Sequence, residues 1–331
     1  MKDRQSQISL EHIRLLGLLE GNRFCSGVKL AESMCVSRTS ISNWIAVLAK
    51  EGLDIERVTG KGYRLSSPIA MLDESRLKRD LNGNGSVFDK ILIDSVVTST
   101  NDRAGEQLSM GYRRVLCLAE SQQAGRGRRG RQWVSLPGFS FCGTIGWTFD
   151  VGMAALEGLS LAIGVALAEA LSVIGLPQVE LKWPNDLVLE GKKLGGVLIE
   201  MSGDINGPCK ALIGIGINVY LPERVRQSIN QPVADIYSTL GMMPDRHELA
   251  CAVVREVTNV LNEFSNLGFR AWRERWQARD ALLGRSVMVS GLSSPVYGIE
   301  CGVTANGALI IQSDVGLVEV HGGEVSLRGL P

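Results

Sequence analysis

The feature that most constrains this chain is a basic segment of seven residues, 125–131 (GRGRRGR), placed between two apolar segments. It contains four arginines and three glycines. Glycine lets backbone N–H groups approach a ligand closely, and the planar arginine fork binds carboxylate or phosphate through two hydrogen bonds. Arg-Gly segments also occur in flexible nucleic-acid-binding tails. Because residues 115–119 and 139–145 read as buried strands, we expect a loop that closes over a small anion.

The composition is that of a globular protein with more than one domain. The chain has 331 residues, of which 45% are hydrophobic and 21% charged, and its formal net charge is zero. This length predicts two or three domains. Seven scattered cysteines without a C-x-x-C pair indicate reduced thiols, and the N-terminus has no apolar signal core, so we expect a cytoplasmic protein. The apolar stretch 153–176 contains Glu157 and Glu169, which favours a core helix over a membrane span.

Residues 1–66 predict a winged helix-turn-helix domain. Ser37 precedes a third helix whose apolar positions, Ile41, Ile45 and Leu48, repeat at helical spacing. A hairpin with basic residues, including Arg57 and Arg64, follows as the wing. A three-helix interaction module that never contacts DNA is the alternative. The opposite face of the third helix and the wing tip supply the candidate DNA-binding residues, which are Ser37, Arg38, Thr39, Asn43, Lys50 and Lys61.

The rest of the chain predicts two more domains, so the fold class is multi-domain α+β. Residues 67–280 form a mixed α/β domain. Its sheet should be mixed or mainly antiparallel, because several strands follow one another without a helix between them. We expect strands at 91–95, 115–120, 139–149, 179–182, 185–189, 194–202 and 210–219, and helices near 74–81, 101–109, 153–175, 244–265 and 268–279. Residues 281–331 predict a small β-barrel or sandwich of five short strands, the last at 324–327.

Four polar clusters of the central domain carry the candidate chemistry. Ser99, Thr100 and Asn101 can donate and accept several hydrogen bonds, although helix capping alone would explain them. Gln122 ends a strand just before the basic loop. Residues 182–186 (KWPND) and 192–196 (KKLGG) place lysines beside buried strands. A tight turn is the alternative for KWPND, although the charges at both of its ends favour a site, and a surface lysine is the alternative for Lys193.

Several catalytic classes are excluded by what the sequence lacks. It has three distant histidines with no metal-ligand spacing, no convincing Ser-His-Asp set and no G-x-x-x-x-G-K-[ST] phosphate loop. The groups that remain as candidates for catalysis are the cationic side chains of arginine and lysine. They suit a reaction in which a carboxylate attacks the α-phosphorus of ATP and arginine and lysine stabilise the developing charge.

Together these motifs resemble those of biotin–protein ligases. The matching segments are Ser99-Thr100-Asn101 and residues 122–133 (QQAGRGRRGRQW), 182–186 (KWPND), 193–196 (KLGG) and 214–218 (GIGIN), in that family's order and roughly its spacing. With the winged helix in front, the whole chain is similar to the bifunctional bacterial form, the biotin operon repressor. The resemblance implies a central domain with a class II synthetase-like fold and an SH3-like C-terminal barrel.

The resemblance also implies a reaction and its residues. Biotin and ATP would give biotinyl-5′-adenylate, and the biotinyl group would pass to a lysine of the biotin carboxyl carrier protein of acetyl-CoA carboxylase, with Mg²⁺ accompanying ATP on ligands we cannot assign. Arg128 and Lys193 would be catalytic. The biotin-binding residues would be Ser99, Thr100, Asn101, Gln122, Arg126, Gly127, Arg128 and Lys193, and the nucleotide-binding residues Arg131, Lys182, Asp186 and Asn218.

The implied partners are the carrier protein, biotin operator DNA and a second copy of the chain, which would dimerise when the adenylate is bound. No membrane partner is expected. One departure concerns residues 221–235, where the family often has a tryptophan over the adenine and this chain has Val233 at about that position. Two alternatives stay open: a lipoate or octanoate ligase, which generally lacks the winged helix and KWPND, and a ligand-sensing transcription factor without ligase activity.

Overall fold

The computed structural model of the protein describes residues 7–21, 23–67, 69, 71–82, 87–292, 294–322 and 325–330. Its N-terminal part confirms the winged helix-turn-helix. The elements are α1 (Leu10–Leu19), α2 (Gly27–Met34), α3 (Arg38–Glu51), β1 (Ile55–Val58) and β2 (Gly62–Leu65), with β1 and β2 paired antiparallel as the wing. As predicted, the Ser37 hydroxyl caps α3, accepting a hydrogen bond from the backbone N of Ser40 at 3.1 Å. The composition of residues 66–68 (Ser-Ser-Pro) predicts a linker after this domain, and position 68 lies outside the described residues.

The central domain is built on one seven-stranded sheet with helices on both faces. The strand order is β3-β4-β5-β9-β8-β7-β6. The β3–β4 pair is parallel and the five other pairs are antiparallel, which confirms the predicted sheet type. Its elements are α4 (Glu74–Asn82), β3 (Lys90–Val97), α5 (Thr100–Ser109), β4 (Arg114–Gln122), β5 (Ser140–Phe149), α6 (Leu159–Val173), β6 (Glu180–Lys182), β7 (Asp186–Leu189), β8 (Lys192–Gly203), β9 (Cys209–Asn218), α7 (Glu223–Ser228), α8 (Ile236–Leu240), α9 (Arg246–Leu267) and α10 (Arg273–Gln277).

Strand β4 shows how the two faces of this sheet are covered. Leu116 and Leu118 belong to the large core with α6 and α9, whereas Val115 and Cys117 pack against Leu108 of α5. Successive side chains of a strand point to opposite faces. A strand covered on both faces therefore reads as the continuous apolar run seen in the sequence.

The prediction of a single helix over residues 153–175 was wrong in its extent. Met153–Leu156 forms a 3-10 turn, and α6 begins only after Gly158, whose φ is +77°. A Cβ at Gly158 would lie 2.6 Å from the Cβ of Phe269, so glycine permits both the left-handed turn and the close contact. The segment Met153–Val173 is long and apolar enough to cross a membrane, but 67% of its most apolar window is buried inside the protein, as the predicted core helix requires.

Two further segments also differ from prediction. Residues 268–279 form a 3-10 turn, Phe269–Ala271, and then the short α10 instead of one helix. The segment 221–235, expected to be a loop, contains α7. Its anchor is the Arg226 guanidinium, which forms an ion pair with the fully buried Asp235 and donates a hydrogen bond to the Val233 carbonyl at 2.9 Å. Long-range pairing thus orders a segment in which the sequence shows little periodicity.

The C-terminal residues confirm the predicted small β-domain. Five antiparallel strands, β10 (Ser286–Ser290), β11 (Val296–Val303), β12 (Leu309–Ser313), β13 (Gly316–Val320) and β14 (Ser326–Gly329), lie in the order β13-β12-β11-β10-β14. The last strand begins later than predicted, and residue 324 lies outside the described residues. Side chains such as Val287 and Leu309 share the large core of the central domain. The domain is therefore packed onto the sheet that carries the candidate site.

Candidate active site

A glycine-lined strip of β9 forms the floor of the candidate site. Alternate residues of a strand face the same side, and here these are Gly214, Gly216 and Asn218. A Cβ at Gly214 would lie 2.5 Å from the Asn101 Oδ1 atom, and a Cβ at Gly216 would lie 2.5 Å from the Trp133 ring. From residue 214 to residue 218 the strip spans about 13 Å, at about 3.3 Å per residue. Because glycine has no side chain, this strip lies recessed beneath Asn101 and the Trp133 ring. We call it the trough, with a polar end at Asn101 and a cationic end beside Asn218.

The polar end is a buried hydrogen-bond network around the start of α5. Gln122 Oε1 accepts hydrogen bonds from the Thr100 backbone N at 2.9 Å and from its hydroxyl at 3.2 Å. The Ser99 hydroxyl accepts from the Asn101 backbone N at 3.2 Å, so Ser99 is also a helix cap. Thr144 joins the network from β5, donating within 2.7 Å to Thr100 or Asn101. The structure thus brings together four of the predicted biotin-binding residues.

Glu200 of β8 connects this network to the basic loop. Its Oε2 atom accepts a hydrogen bond from Asn101 Nδ2 at 2.7 Å and lies 3.3 Å from Arg126 Nη2. Arg126 also binds Asp102 through two hydrogen bonds of 2.7 and 3.0 Å. The Asp102 carboxylate raises the pKa of the guanidinium above its ordinary value. Two carboxylates therefore fix the position of Arg126 and the orientation of Asn101.

The basic loop itself is a closed hairpin. Gly127 N donates to the Arg131 carbonyl at 2.7 Å, and Trp133 N donates to the Gly125 carbonyl at 2.8 Å. Inside the loop, Arg128 Nη1 donates to Asn185 Oδ1 of the KWPND segment at 3.0 Å. Burial lowers the pKa of the Arg128 guanidinium, and Asp186 opposes that shift. The loop thus spans the trough and places Arg128 at the cationic end.

The cationic end centres on Lys193, at the start of β8. Lys193 Nζ lies 2.6 Å from Asp186 Oδ1, and both side chains are mostly buried. Lys182 stands on the neighbouring β6, where burial lowers the pKa of its ammonium group. These three predicted residues are brought together. The side chain of Arg131 is exposed, and among the described residues no hydrogen bond or ion pair joins it to Lys193.

Asn218 and the segment after it hold the backbone of Lys193. Asn218 Nδ2 donates to the carbonyls of Ala234 at 3.0 Å and Lys193 at 3.5 Å. Lys193 N donates to the Pro232 carbonyl, and Ala234 N donates to the Lys193 carbonyl. Val233 is 5% exposed and belongs to the apolar cluster shared with the winged helix. In this structure it is therefore a packing residue between two modules.

The candidate DNA-binding face is exposed as predicted. Ser37, Arg38, Thr39, Asn43, Lys50 and Lys61 are all solvent-exposed. A groove between α3 and the wing is lined by Arg38, Thr39, Asn43, Arg57 and Lys61, among others. Arg64, counted with the wing cations in the sequence, is half-buried, paired with Glu56 at 2.7 Å and stacked on Phe24. Its position favours a structural role.

Three residues of the site escaped the sequence analysis: Asp102, Thr144 and Glu200. Asp102 directly follows the Ser-Thr-Asn motif, so its position was a usable signal. Glu200 follows the KLGG motif by four residues and Thr144 follows the segment 122–133 by eleven, both inside apolar strands, and no local pattern identifies them. Among the described residues, no group of three or more His, Cys, Asp or Glu side chains is arranged to hold a metal ion.

Three family models match the chain. Residues 93–218 match the biotin/lipoate A/B protein ligase family, and residues 282–328 match the biotin protein ligase C-terminal domain. Residues 11–64 match a helix-turn-helix domain. The three matches cover the three parts of the fold and the trough on β9.

The chain is also similar to whole proteins of this kind. It is 37% identical to the bifunctional ligase/repressor BirA of Escherichia coli over 316 residues, covering 96% of this chain and 97% of that protein. It is 31% identical to a biotin–[acetyl-CoA-carboxylase] ligase of Mycobacterium tuberculosis, covering 77% and 95%. A structure of the Aquifex aeolicus biotin protein ligase with biotin and ATP superposes with a TM-score of 0.61 at 28% identity, covering 73% of this chain and all of that one. The protein belongs to the bifunctional ligase/repressor family and is a biotin–protein ligase with a helix-turn-helix repressor domain.

Proposed function

We propose that the trough on β9 performs both steps of biotin transfer. A biotin carboxylate oxygen attacks the α-phosphorus of ATP, and pyrophosphate leaves. An acceptor lysine amine then attacks the carbonyl carbon of biotinyl-5′-adenylate, and AMP leaves. The acceptor is the biotin carboxyl carrier protein of acetyl-CoA carboxylase. The domain limits 1–66, 67–280 and 281–331 remain our assignment.

The arrangement of a polar end and a cationic end in one trough carries this proposal. Ser99, Thr100, Asn101 and Gln122 would bind the ring system of biotin, which needs both donors and acceptors. Arg126 and Gly127 would line its valeryl chain from the loop above. The valeryl chain would then direct the biotin carboxylate toward the cationic end, where an acyl phosphate can form.

At the cationic end the charges match the chemistry. Arg128 and Lys193 would stabilise the negative charge that develops on the α-phosphate, an effect worth about 10²–10³ in rate for one well-placed donor. Lys182, Asp186 and Arg131 would contact the nucleotide. Asn218 would support its binding indirectly, by holding the backbone of Lys193. Mg²⁺ would enter as part of the MgATP substrate. The hairpin 125–131 would keep water from the mixed anhydride.

The proposal is tested by mass measurement of a carrier domain. We expect the purified chain, given biotin, MgATP and the carrier domain, to add one biotinyl group to the carrier. Added lipoyl mass, when lipoate replaces biotin, would indicate the lipoate ligase class instead. An unmodified carrier together with ligand binding would indicate a sensor without ligase activity.

We propose that the winged helix binds biotin operator DNA. The exposed face of α3 would enter the major groove, and Lys61 at the wing tip would contact a phosphate. We expect Lys61→Ala to weaken binding to all sequences alike and to lower the slope of log K against log salt concentration by about 1. Electrophoretic mobility shifts at several salt concentrations measure this. Lys78→Ala on α4, a half-exposed lysine outside the module that pairs with Glu74, is the control. An unchanged slope for Lys61→Ala would contradict the contact.

We propose that the adenylate complex forms a homodimer in the cytoplasm. The part of β8 beyond Gly196 extends past the short β7, and exposed apolar side chains, Met201 and Ile205, lie there. A ligand shifts such an equilibrium only if it favours the dimer-competent state. Sedimentation with and without biotin plus ATP tests this, and a monomer under both conditions would contradict it.

A further inference from the structure

Two acidic side chains, the buried Glu300 and the half-buried Asp280, lie where the C-terminal sheet meets the edge of the catalytic sheet. Asp280 precedes the C-terminal domain and forms a bridge to Leu181 of β6. Glu300 stands on β11, and its backbone hydrogen-bonds to Gly284 and Arg285. The side chain of Arg285 is exposed. The two carboxyl groups lie within hydrogen-bonding range of each other.

These carboxyl groups lack the donors that a buried carboxylate needs. Glu300 is 1% exposed, and among the described residues no N–H or O–H group donates to either of its oxygens. Asp280 Oδ1 accepts from Leu282 N at 3.1 Å, whereas its buried Oδ2 accepts from none of them. Ionised carboxyl groups only accept hydrogen bonds, so two that face each other bond only when one keeps its proton. Burial, and then Asp280, raise the pKa of Glu300 to about 9.

The pair lies beside Lys182, the lysine of the KWPND segment. The charged groups that act on the pair or on Lys182 come from five elements and are Glu180 of β6, Asp186 of β7, Lys193 of β8, Glu300 of β11 and Arg328 of β14. Together with the pair, Lys182 and the other charged groups that act on it (Asp186, Lys193 and Arg328) carry a net charge of +1 when the pair holds one proton and 0 when both carboxyl groups are ionised.

We propose that Asp280 and Glu300 hold one proton between them and thereby keep the nucleotide end of the ligase site net positive. Glu300 is then a positioning residue that the C-terminal domain contributes to binding of the ATP phosphates. This inference rests on the proposed placement of the nucleotide at Lys182. Ionisation of the pair weakens the attraction for the polyanion, and binding of the polyanion favours uptake of a proton.

The pH dependence of the KM for ATP tests the pair. With saturating biotin, the KM of the unaltered protein should rise about tenfold between pH 7.5 and about pH 10, as expected for one added negative charge near the site. Glu300→Gln mimics the protonated pair, because glutamine donates to Asp280 and adds no charge. Its KM should match that of the unaltered protein at pH 7.5 and rise clearly less above it, because only the loss of the Lys182 proton remains, with kcat unchanged. Parallel profiles for the two proteins would overturn the proposal.

A second readout is independent of turnover. When MgATP binds at pH 9, calorimetry in buffers of different ionisation enthalpy should show greater proton uptake by the unaltered protein than by Glu300→Gln, in which Lys182 alone can take up a proton. Glu319→Gln, an exposed acid on β13 of the same sheet, should behave like the unaltered protein. Equal proton uptake by both proteins would also overturn the proposal.

Two further measurements separate the possible failures. If Lys182→Ala leaves the KM for ATP unchanged, the nucleotide placement is wrong and the inference fails with it. If Lys182→Ala raises that KM while Glu300→Gln keeps the pH dependence, the charge-setting role of the pair alone is wrong.

Thermal melting checks the fold of the variant. Because the folded-state pKa of Glu300 lies above its ordinary value, ionisation costs stability as pH rises from about 4.5 to about 9, so Glu300→Gln should melt higher than the unaltered protein at pH 9.

Discussion

Replacing Lys193 by alanine should lower the rate of biotin-dependent pyrophosphate release about 10²–10³-fold. The ammonium group lies 2.6 Å from Asp186, and its backbone is held on both sides by Pro232 and Ala234. A cation fixed in this way needs no reorganisation when charge develops on the α-phosphate. The loss should appear in kcat, because the interaction strengthens in the transition state.

The neighbouring lysine provides a matched control for this prediction. Lys192 is exposed, and its side chain forms no hydrogen bond or ion pair with any residue that the structure describes. Lys192→Ala should therefore keep its rate within about threefold of the unaltered protein, a margin small against the 10²–10³ expected of a placed donor. Equal losses for the two variants would mean that general surface charge, and not the position of Lys193, supports the reaction.

Replacing Arg246 by methionine should destabilise the catalytic domain by about 3–5 kcal/mol, the range found when one partner of a buried ion pair is removed. Arg246 is 2% exposed, and its guanidinium lies 2.9 Å from Glu120. It also donates to the Ser140 carbonyl at 3.0 Å. Glu120 in turn accepts from Leu72 N and Gly138 N, which connects the segment after the winged helix to β4. The variant leaves a buried carboxylate without its counter-ion.

Denaturant unfolding followed by a catalytic-domain signal measures this loss. Arg255→Ala on the same helix is the control, because its pair with Glu256 is half-exposed and such pairs contribute about 0–1 kcal/mol. The double variant Glu120→Leu/Arg246→Met should recover part of the stability, since no charge is left unpaired. A loss below about 1 kcal/mol for Arg246→Met would show that the pair does not stabilise the domain.

Much of the fold followed from local patterns. The cap at Ser37 and the apolar spacing after it predicted α3, and the apolar runs predicted the strands of the central sheet. Helix ends were less well predicted where a tertiary contact decides them. Gly158 interrupts the apolar stretch 153–176 with a left-handed turn, at a position against which Phe269 packs closely. The segment holding α7 is ordered by the pairing of Arg226 with Asp235, which no short window contains.

For the candidate site, too, the local sequence predicted some features and the tertiary structure decided others. Its motif residues were predicted because each motif is contiguous in the chain and unusual in composition. Their grouping into one trough depends on the strand order, which sets β9 between β5 and β8. Val233 shows the reverse case. The sequence singles it out because the family often has a tryptophan at about that position. In the structure its side chain instead packs in the apolar cluster that the catalytic domain shares with the winged helix.

The sequence by itself determined the three-part organisation, the winged helix, the sheet type and the motif residues, because helical and strand periodicities and glycine-rich loops are properties of neighbouring residues. The tertiary structure alone decided that Glu200 and Thr144 orient Asn101, and that Asp280 faces Glu300. These partners lie 20 to about 100 residues apart in the chain and become neighbours only when the sheets assemble. Burial then decides their chemistry, since it makes a carboxyl group keep its proton where water would have ionised it.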